Sequence, residues 1–199
     1  AEFGHDMPER PVLFLKATTS VTGPGQPIEL PTIAPGAVDL EAELAVVIGR
    51  RCKHVKESQV REVVLGYTIA NDVTARDCQK VLDAQWARAK SFDTFCPLGP
   101  WIETELDPSD LAISSAIDGV TMQQSRTSDM IFSVEQLVAF VSRCFTLEPG
   151  TLILTGTPPG VGYARDPKVL LREGNVVTVA IEGIGELENP VVGEEVEKL

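Results

Sequence analysis

Glu41 and Glu43 stand two residues apart in the run Asp39-Leu40-Glu41-Ala42-Glu43-Leu44-Ala45-Val46-Val47-Ile48-Gly49. The run is apolar, β-branched toward its end and closed by glycine, which predicts a β-strand. Side chains at i and i+2 of a strand share a face, so Glu41 and Glu43 point the same way, in line with Ala45 and Val47. Leu40, Ala42, Leu44, Val46 and Ile48 form the opposite face and read as core. Two carboxylates converging beside a packed sheet repel each other unless water or a cation lies between them. Exposed carboxylates are commonplace, so an isolated Glu-x-Glu reads first as a solvated strand edge.

Asp72 is the third candidate ligand. It sits among apolar and small residues, where a carboxylate is costly to bury without a partner. The alternative is a turn-initiating Asp bonded to the amide of Thr74 or Ala75. If the chain turns helical after Asp72, Arg76 and Gln79 share a face over that carboxylate, at i+4 and i+7. Lys90 is a solvated lysine by default, but facing the carboxylates it could stabilise a developing enolate oxygen. In the loop Thr155-Gly156-Thr157-Pro158-Pro159-Gly160, the glycines permit close backbone approach to a ligand. That loop lacks the Gly-Lys-Ser/Thr ending of a nucleotide-binding P-loop. No Gly-x-Ser-x-Gly, His-Glu-x-x-His or dinucleotide glycine pattern occurs. A serine triad would have to draw on His5 or His54, both in exposed polar contexts, and is set aside.

Composition narrows the chemistry further. With only two histidines and four scattered cysteines, a zinc site of His and Cys has little to draw on. A metal here is a hard cation held by oxygens, such as Mg²⁺, Mn²⁺ or Ca²⁺. No Cys-x-x-Cys pair is present, so a reduced, cytoplasmic setting is expected rather than a disulfide framework. The net charge of −12 disfavours nucleic acid and anionic membranes as partners. No apolar run reaches the length of a membrane span. At 199 residues, one domain with a sizeable core is expected.

The elements that must position these residues are mostly short strands. Residues 1–11 are polar and turn-like, Val12–Lys16 reads as a strand, and 17–37 as loop with a short strand at Ile28–Leu30. Ser58 can cap a short helix through Leu65, with Gly66 as its stop. Tyr67–Thr74 is a strand with Thr68, Ala70 and Asp72 on one face. Ala75–Ala84 is helical, and Asp83–Phe95 is an irregular, mobile segment. Leu98–Glu103 is a strand, and Ala112–Ile117 with Val120–Gln124 forms a hairpin across Asp118-Gly119. Ser133 to Gln136 is a capping box opening an amphipathic helix with Val134, Leu137, Val138 and Val141 on its apolar face. Thr151–Leu154, Asn175–Ile181 and Gly185–Val192 complete the strands. The pattern is a β-rich mixed fold of the α+β class, not a doubly wound α/β sheet.

Five segments together resemble the fumarylacetoacetate hydrolase family. They are Asp39-Leu40-Glu41-Ala42-Glu43, Gly66 through Asp77 with its Asp-Val-Thr-Ala-Arg-Asp core, Ala89-Lys90-Ser91-Phe92-Asp93, Asp129-Met130-Ile131-Phe132 and Leu154-Thr155-Gly156-Thr157-Pro158. The likeness runs over nearly the whole chain and is greatest to short acylpyruvase, oxaloacetate decarboxylase and hydroxyheptadienedioate isomerase types. It implies a mixed-sheet β-roll spanning 1–199 as one catalytic domain, usually a homodimer, around one divalent cation such as Mg²⁺. By the resemblance Glu41, Glu43 and Asp72 are the metal ligands. Arg76, Gln79 and Thr157 contact substrate, and Lys90 is the active-site lysine.

The family's general-base pair is a His-x-x-Glu shortly before the Pro11 to Lys16 stretch. Glu2 falls on its glutamate, the histidine would precede Ala1, and His5 lies on the wrong side of Glu2. The resemblance also makes residues 1–11 a lid or mobile segment. It implies a small 2-oxo acid as substrate, chelated through its 2-oxo and carboxylate oxygens, with bond electrons flowing into an enolate. Hydrolysis of an acylpyruvate or decarboxylation of oxaloacetate is the expected outcome, and isomerisation of a hydroxyheptadienedioate or carboxymethyl-hydroxymuconate from aromatic catabolism is the alternative on the same electron sink. A silent, ligand-binding family member is the rival from another class.

Overall fold

A computed structural model describes residues 7–34 and 36–195. Its strands are β1 (Val21–Thr22), β2 (Ile28–Leu30), β3 (Val38–Asp39), β4 (Ala42–Ile48), β5 (Val64–Asn71), β6 (Thr74–Ala75), β7 (Cys96–Glu103), β8 (Ala112–Ile117), β9 (Val120–Arg126), β10 (Leu152–Leu154), β11 (Val176–Ile181) and β12 (Gly185–Gly193). The α-helices are α1 (Ala87–Lys90) and α2 (Val134–Cys144). Two sheets of five strands run in the orders β1-β7-β5-β4-β10 and β2-β12-β11-β8-β9, and β3 pairs with β6. Both large sheets are mixed, because β1 joins β7 and β2 joins β12 in parallel while the other pairs are antiparallel. The β-rich mixed fold expected from the pattern is the fold observed. No helix among the described residues is long and apolar enough to cross a membrane.

The alternation in β4 explains where the core lies. Leu44, Val46 and Ile48 on one face join Ile69 of β5 and Ile113, Val177, Val179, Ile181 and Leu187 of the other sheet in a single cluster. Full burial of each such side chain is worth about 1.5–3 kcal/mol relative to exposure. β4 is buried throughout: β5 and β10 pair with its two edges, one face joins the core cluster, and the other lines the candidate site. The β8–β9 hairpin turns on Asp118 (φ 49°) and Gly119 (φ 77°), the left-handed pair that a tight two-residue turn needs. Ser133 and Gln136 cap α2 reciprocally, as their spacing predicts.

Three local expectations are corrected. Val12–Lys16 forms no strand and pairs with none among the described residues. It leaves Val12, Leu13 and Leu15 exposed and turns Phe14 and Lys16 inward. Residues Glu57–Glu62 form a 3₁₀ turn without a side-chain cap, and Gly66 lies inside β5 rather than after a helix. A Cβ at Gly66 would collide with the Glu103 carbonyl, so this glycine serves close β5–β7 approach. Finally, Ala75 belongs to β6, the helical turn after it widens into a π-helix over Cys78–Leu82, and Asp83–Phe95 contains α1 with Lys90 at its end.

Candidate metal centre

The β4–β5 ladder sets Glu43 opposite Ala70 and Ala42 opposite Asn71. One step beyond it, the Asp72 N–H donates to the Glu41 carbonyl at 2.8 Å, and Asn71 Oδ1 accepts the Glu41 N–H at 3.0 Å. Same-face neighbours across an antiparallel pair meet, so Glu41, Glu43 and Asp72 converge. One oxygen from each lies within 4.8 Å of the others, and all three side chains are buried. At 7%, 4% and 1% exposed, they are not a solvated strand edge. Nor does the Asp72 carboxylate cap a turn: the Thr74 hydroxyl donates to its backbone carbonyl instead, at 2.9 Å.

Cationic side chains meet two of the three carboxylates. Lys90 Nζ lies 2.7 Å from Glu41 Oε2 and 2.6 Å from Asp72 Oδ2. Lys16 Nζ takes the other Asp72 oxygen at 2.6 Å, and Arg76 Nη1 takes Glu41 Oε1 at 2.7 Å. Burial works to lower the Lys90 pKa, but the Glu41, Asp72 and Glu43 carboxylates raise it overall, so the ammonium stays protonated. Burial works to raise Asp72, and Lys90 and Lys16 bring it below its ordinary value.

Glu43 differs. Among the described residues it makes no ion pair, and its hydrogen bond comes from the Gly156 N–H at 2.6 Å. Burial, reinforced by the Asp72 and Glu41 charges, pushes its pKa well above the ordinary carboxylate value. A buried carboxylate beside two others and short of a counter-charge is the environment a divalent cation neutralises. The donors are all carboxylate oxygens, which suits Mg²⁺, Mn²⁺ or Ca²⁺. A soft ligand is not on offer nearby, since burial pushes the Cys96 thiol up to about 12. The residues present therefore fit a hard divalent cation.

The loop after β10 closes over this edge of β4. Thr155 donates from N–H and hydroxyl to the Leu44 carbonyl, and the Thr157 hydroxyl donates to Ala42 O at 2.9 Å. Gln123 of β9 locks it: Nε2 donates to Thr157 Oγ1 and Pro158 O, while Oε1 accepts the Ala42 N–H and the Ser115 hydroxyl. Arg76, 1% exposed, is turned into the protein, and its Nη1 also donates to Gln79 Oε1 at 3.0 Å.

The structure thus brings Glu41, Glu43, Asp72, Arg76, Gln79, Lys90 and Thr157 together. Glu2 lies outside the described residues. Lys16, Asp39 and Gln123 are additions to the expected set. Lys16 carried a signal in the alternation of Phe14 and Lys16 against exposed Leu13 and Leu15. Gln123 and Asp39 are polar residues whose burial only the tertiary structure reveals.

Comparison with known proteins agrees with this fold. The fumarylacetoacetate (FAA) hydrolase C-terminal family matches residues 1–192. The chain is 46% identical over 190 residues to the mitochondrial oxaloacetate tautomerase of Xenopus laevis, spanning 94% of this chain and 59% of that protein. It superposes on 5-carboxymethyl-2-hydroxymuconate delta-isomerase from Mycobacterium smegmatis with a TM-score of 0.88 and 50% identity, covering 97% of this chain and 73% of the other. For 2-hydroxyhepta-2,4-diene-1,7-dioate isomerase from Mycobacterium marinum the TM-score is 0.89 at 51% identity, over 95% and 71% of the two chains. The chain belongs to the fumarylacetoacetate hydrolase family.

Proposed function

We propose that this protein is a divalent-metal-dependent enzyme that moves a small 2-oxo acid between its keto and enol forms. Tautomerisation or isomerisation of a dioate is the leading outcome, and C–C hydrolysis and decarboxylation are alternatives on the same site. The observation that carries the reading is the buried cluster of Glu41, Glu43 and Asp72 with the Lys90 ammonium on two of its members. The names borne by the isomerase and tautomerase relatives support it. Glu41, Glu43 and Asp72 would hold the cation, and when bound it supplies Lewis-acid polarisation of a 2-oxo oxygen.

The chain's own groups do the rest. Lys90, buried and protonated, donates to the substrate oxygen that gains charge when a base from solvent takes the proton of the neighbouring carbon, and return of a proton completes the tautomerisation. Lys16 adds a second ammonium on the far oxygen of Asp72. Gln79 contacts the distal group of the substrate, held by Arg76 behind it. Thr157, locked by Gln123, positions the loop whose amides face the bound acid. Phe14, whose ring centroid lies 5.1 Å from Lys90 Nζ, covers that ammonium and limits water.

A substrate panel tests this reading: oxaloacetate enol, a hydroxyheptadienedioate and an acylpyruvate, each followed by ultraviolet absorbance with Mg²⁺ and with excess chelator. Metal-dependent loss of enol absorbance, without pyruvate release, is expected for the first two. Unchanged turnover in excess chelator overturns the metal dependence, and pyruvate release from the acylpyruvate alone moves the assignment to hydrolysis.

A further inference from the structure

Asp39 closes β3 with a carboxylate that is 0% exposed and every oxygen engaged. Oδ1 accepts the Leu40 N–H at 3.0 Å and the Gly162 N–H at 2.9 Å. Oδ2 accepts the Tyr163 N–H at 3.0 Å and faces Arg76 through Nε at 3.0 Å and Nη2 at 2.9 Å. The remaining arm of the same guanidinium, Nη1, lies 2.7 Å from Glu41 Oε1. One planar, rigid cation therefore bridges a carboxylate outside the metal cluster and a carboxylate inside it.

The charges explain why a second carboxylate is useful there. An Arg with Glu41 as its sole anion would neutralise that ligand and compete with a metal ion for its oxygens. With Asp39 occupying one edge of the fork, the guanidinium is shared between two carboxylates, and Glu41 is oriented through Nη1 alone. Gly162 shows how tightly this clamp is seated: a Cβ there would strike the Val169 carbonyl and come within 2.9 Å of Asp39 Oδ1.

We propose that Asp39 is a positioning residue of the metal site, acting through Arg76 to aim Glu41 at the cation while sharing the guanidinium that would otherwise compete for the Glu41 oxygens. The inference rests on the metal reading given above. The competing explanation is that Asp39 only anchors the Gly162–Tyr163 loop through its two amide contacts. The two roles part in a double variant, because removing the Arg76 charge can rescue a charge defect but not a lost anchor.

The test is Mn²⁺ binding, read by calorimetry and by the electron paramagnetic resonance signal of the free ion, on the full chain with no substrate present. Asp39→Asn is expected to weaken Mn²⁺ binding by about tenfold to a hundredfold. Asp39→Asn combined with Arg76→Gln is expected to return to within about threefold of the wild type. Wild-type affinity in Asp39→Asn, or a double variant as weak as the single, overturns the proposal. If Asp39→Asn does not fold, the double variant decides alone: affinity within about threefold supports the role, and a loss of about tenfold or more overturns it. A wild-type protein that binds no Mn²⁺ at millimolar concentration overturns the metal reading itself, and this inference with it.

Discussion

Replacing Glu43 by glutamine separates the cost of a buried charge from the use of that charge. Gln keeps an oxygen to accept the Gly156 N–H now bonded at 2.6 Å, and it keeps the volume. What disappears is an anion that burial and the neighbouring Asp72 and Glu41 charges disfavour. The sign follows from linkage: a carboxylate whose folded pKa is raised contributes stability below its ordinary value, near 4.5, and loses it as pH rises through the raised value. At neutral pH, metal-free Glu43→Gln is therefore as stable as the wild type or more stable, and the two converge in acid. With metal the order reverses. A ligand at about a hundred times its Kd stabilises by about 2.7 kcal/mol. For a chain of this length that corresponds to a melting shift of roughly 5–11 °C. Calorimetric melts of both proteins, with and without Mn²⁺ across pH, measure it. The wild-type shift should grow as pH rises through the Glu43 transition, since binding expels that proton. The variant should show almost no shift. A variant that keeps the full metal-induced shift, or one that melts well below the wild type without metal at neutral pH, refutes the reasoning.

Other outcomes follow from the same contacts. Lys90→Met should lower turnover by about a hundredfold to a thousandfold while Mn²⁺ binding holds or tightens, because an ammonium leaves Glu41 and Asp72; steady-state kinetics beside a binding isotherm check this. Gly162→Ala should cost about 1–3 kcal/mol, read from a denaturant melt, since its Cβ meets the Val169 carbonyl. Ile69→Ala, in the fully buried centre of β5, should cost about 2–5 kcal/mol in the same experiment.

The parts of the molecule set by local chemistry were readable from residues alone. The face shared by Glu41 and Glu43, the Asp118-Gly119 turn and the Ser133 capping box each depend on neighbours within a few positions, and each is observed. The parts set by distant partners were not. Lys16 meets Asp72 across 56 positions, and Gln123 reaches Thr157 across 34, so local alternation can turn Lys16 inward but names neither partner. Gly66 looked like a helix stop because glycine suits both a stop and a close strand approach, and only the Glu103 carbonyl beside it decides between them. Asp39 opens the same run as Glu41 and Glu43, and no residue within a few positions marks it out. Its partners lie far off in the chain: Arg76 is 37 positions away, and the loop amides of Gly162 and Tyr163 are 123 and 124 positions away.

The account stands on a cation held by Glu41, Glu43 and Asp72, and anomalous X-ray scattering from crystals grown with Mn²⁺ examines that most directly. The expected result is one anomalous peak between the three carboxylates, about 2.0–2.6 Å from an oxygen of each, with Lys90 drawn off at least one of them. Density showing Lys90 and Lys16 still seated on Glu41 and Asp72 at saturating Mn²⁺, with no peak among the three side chains, would contradict it.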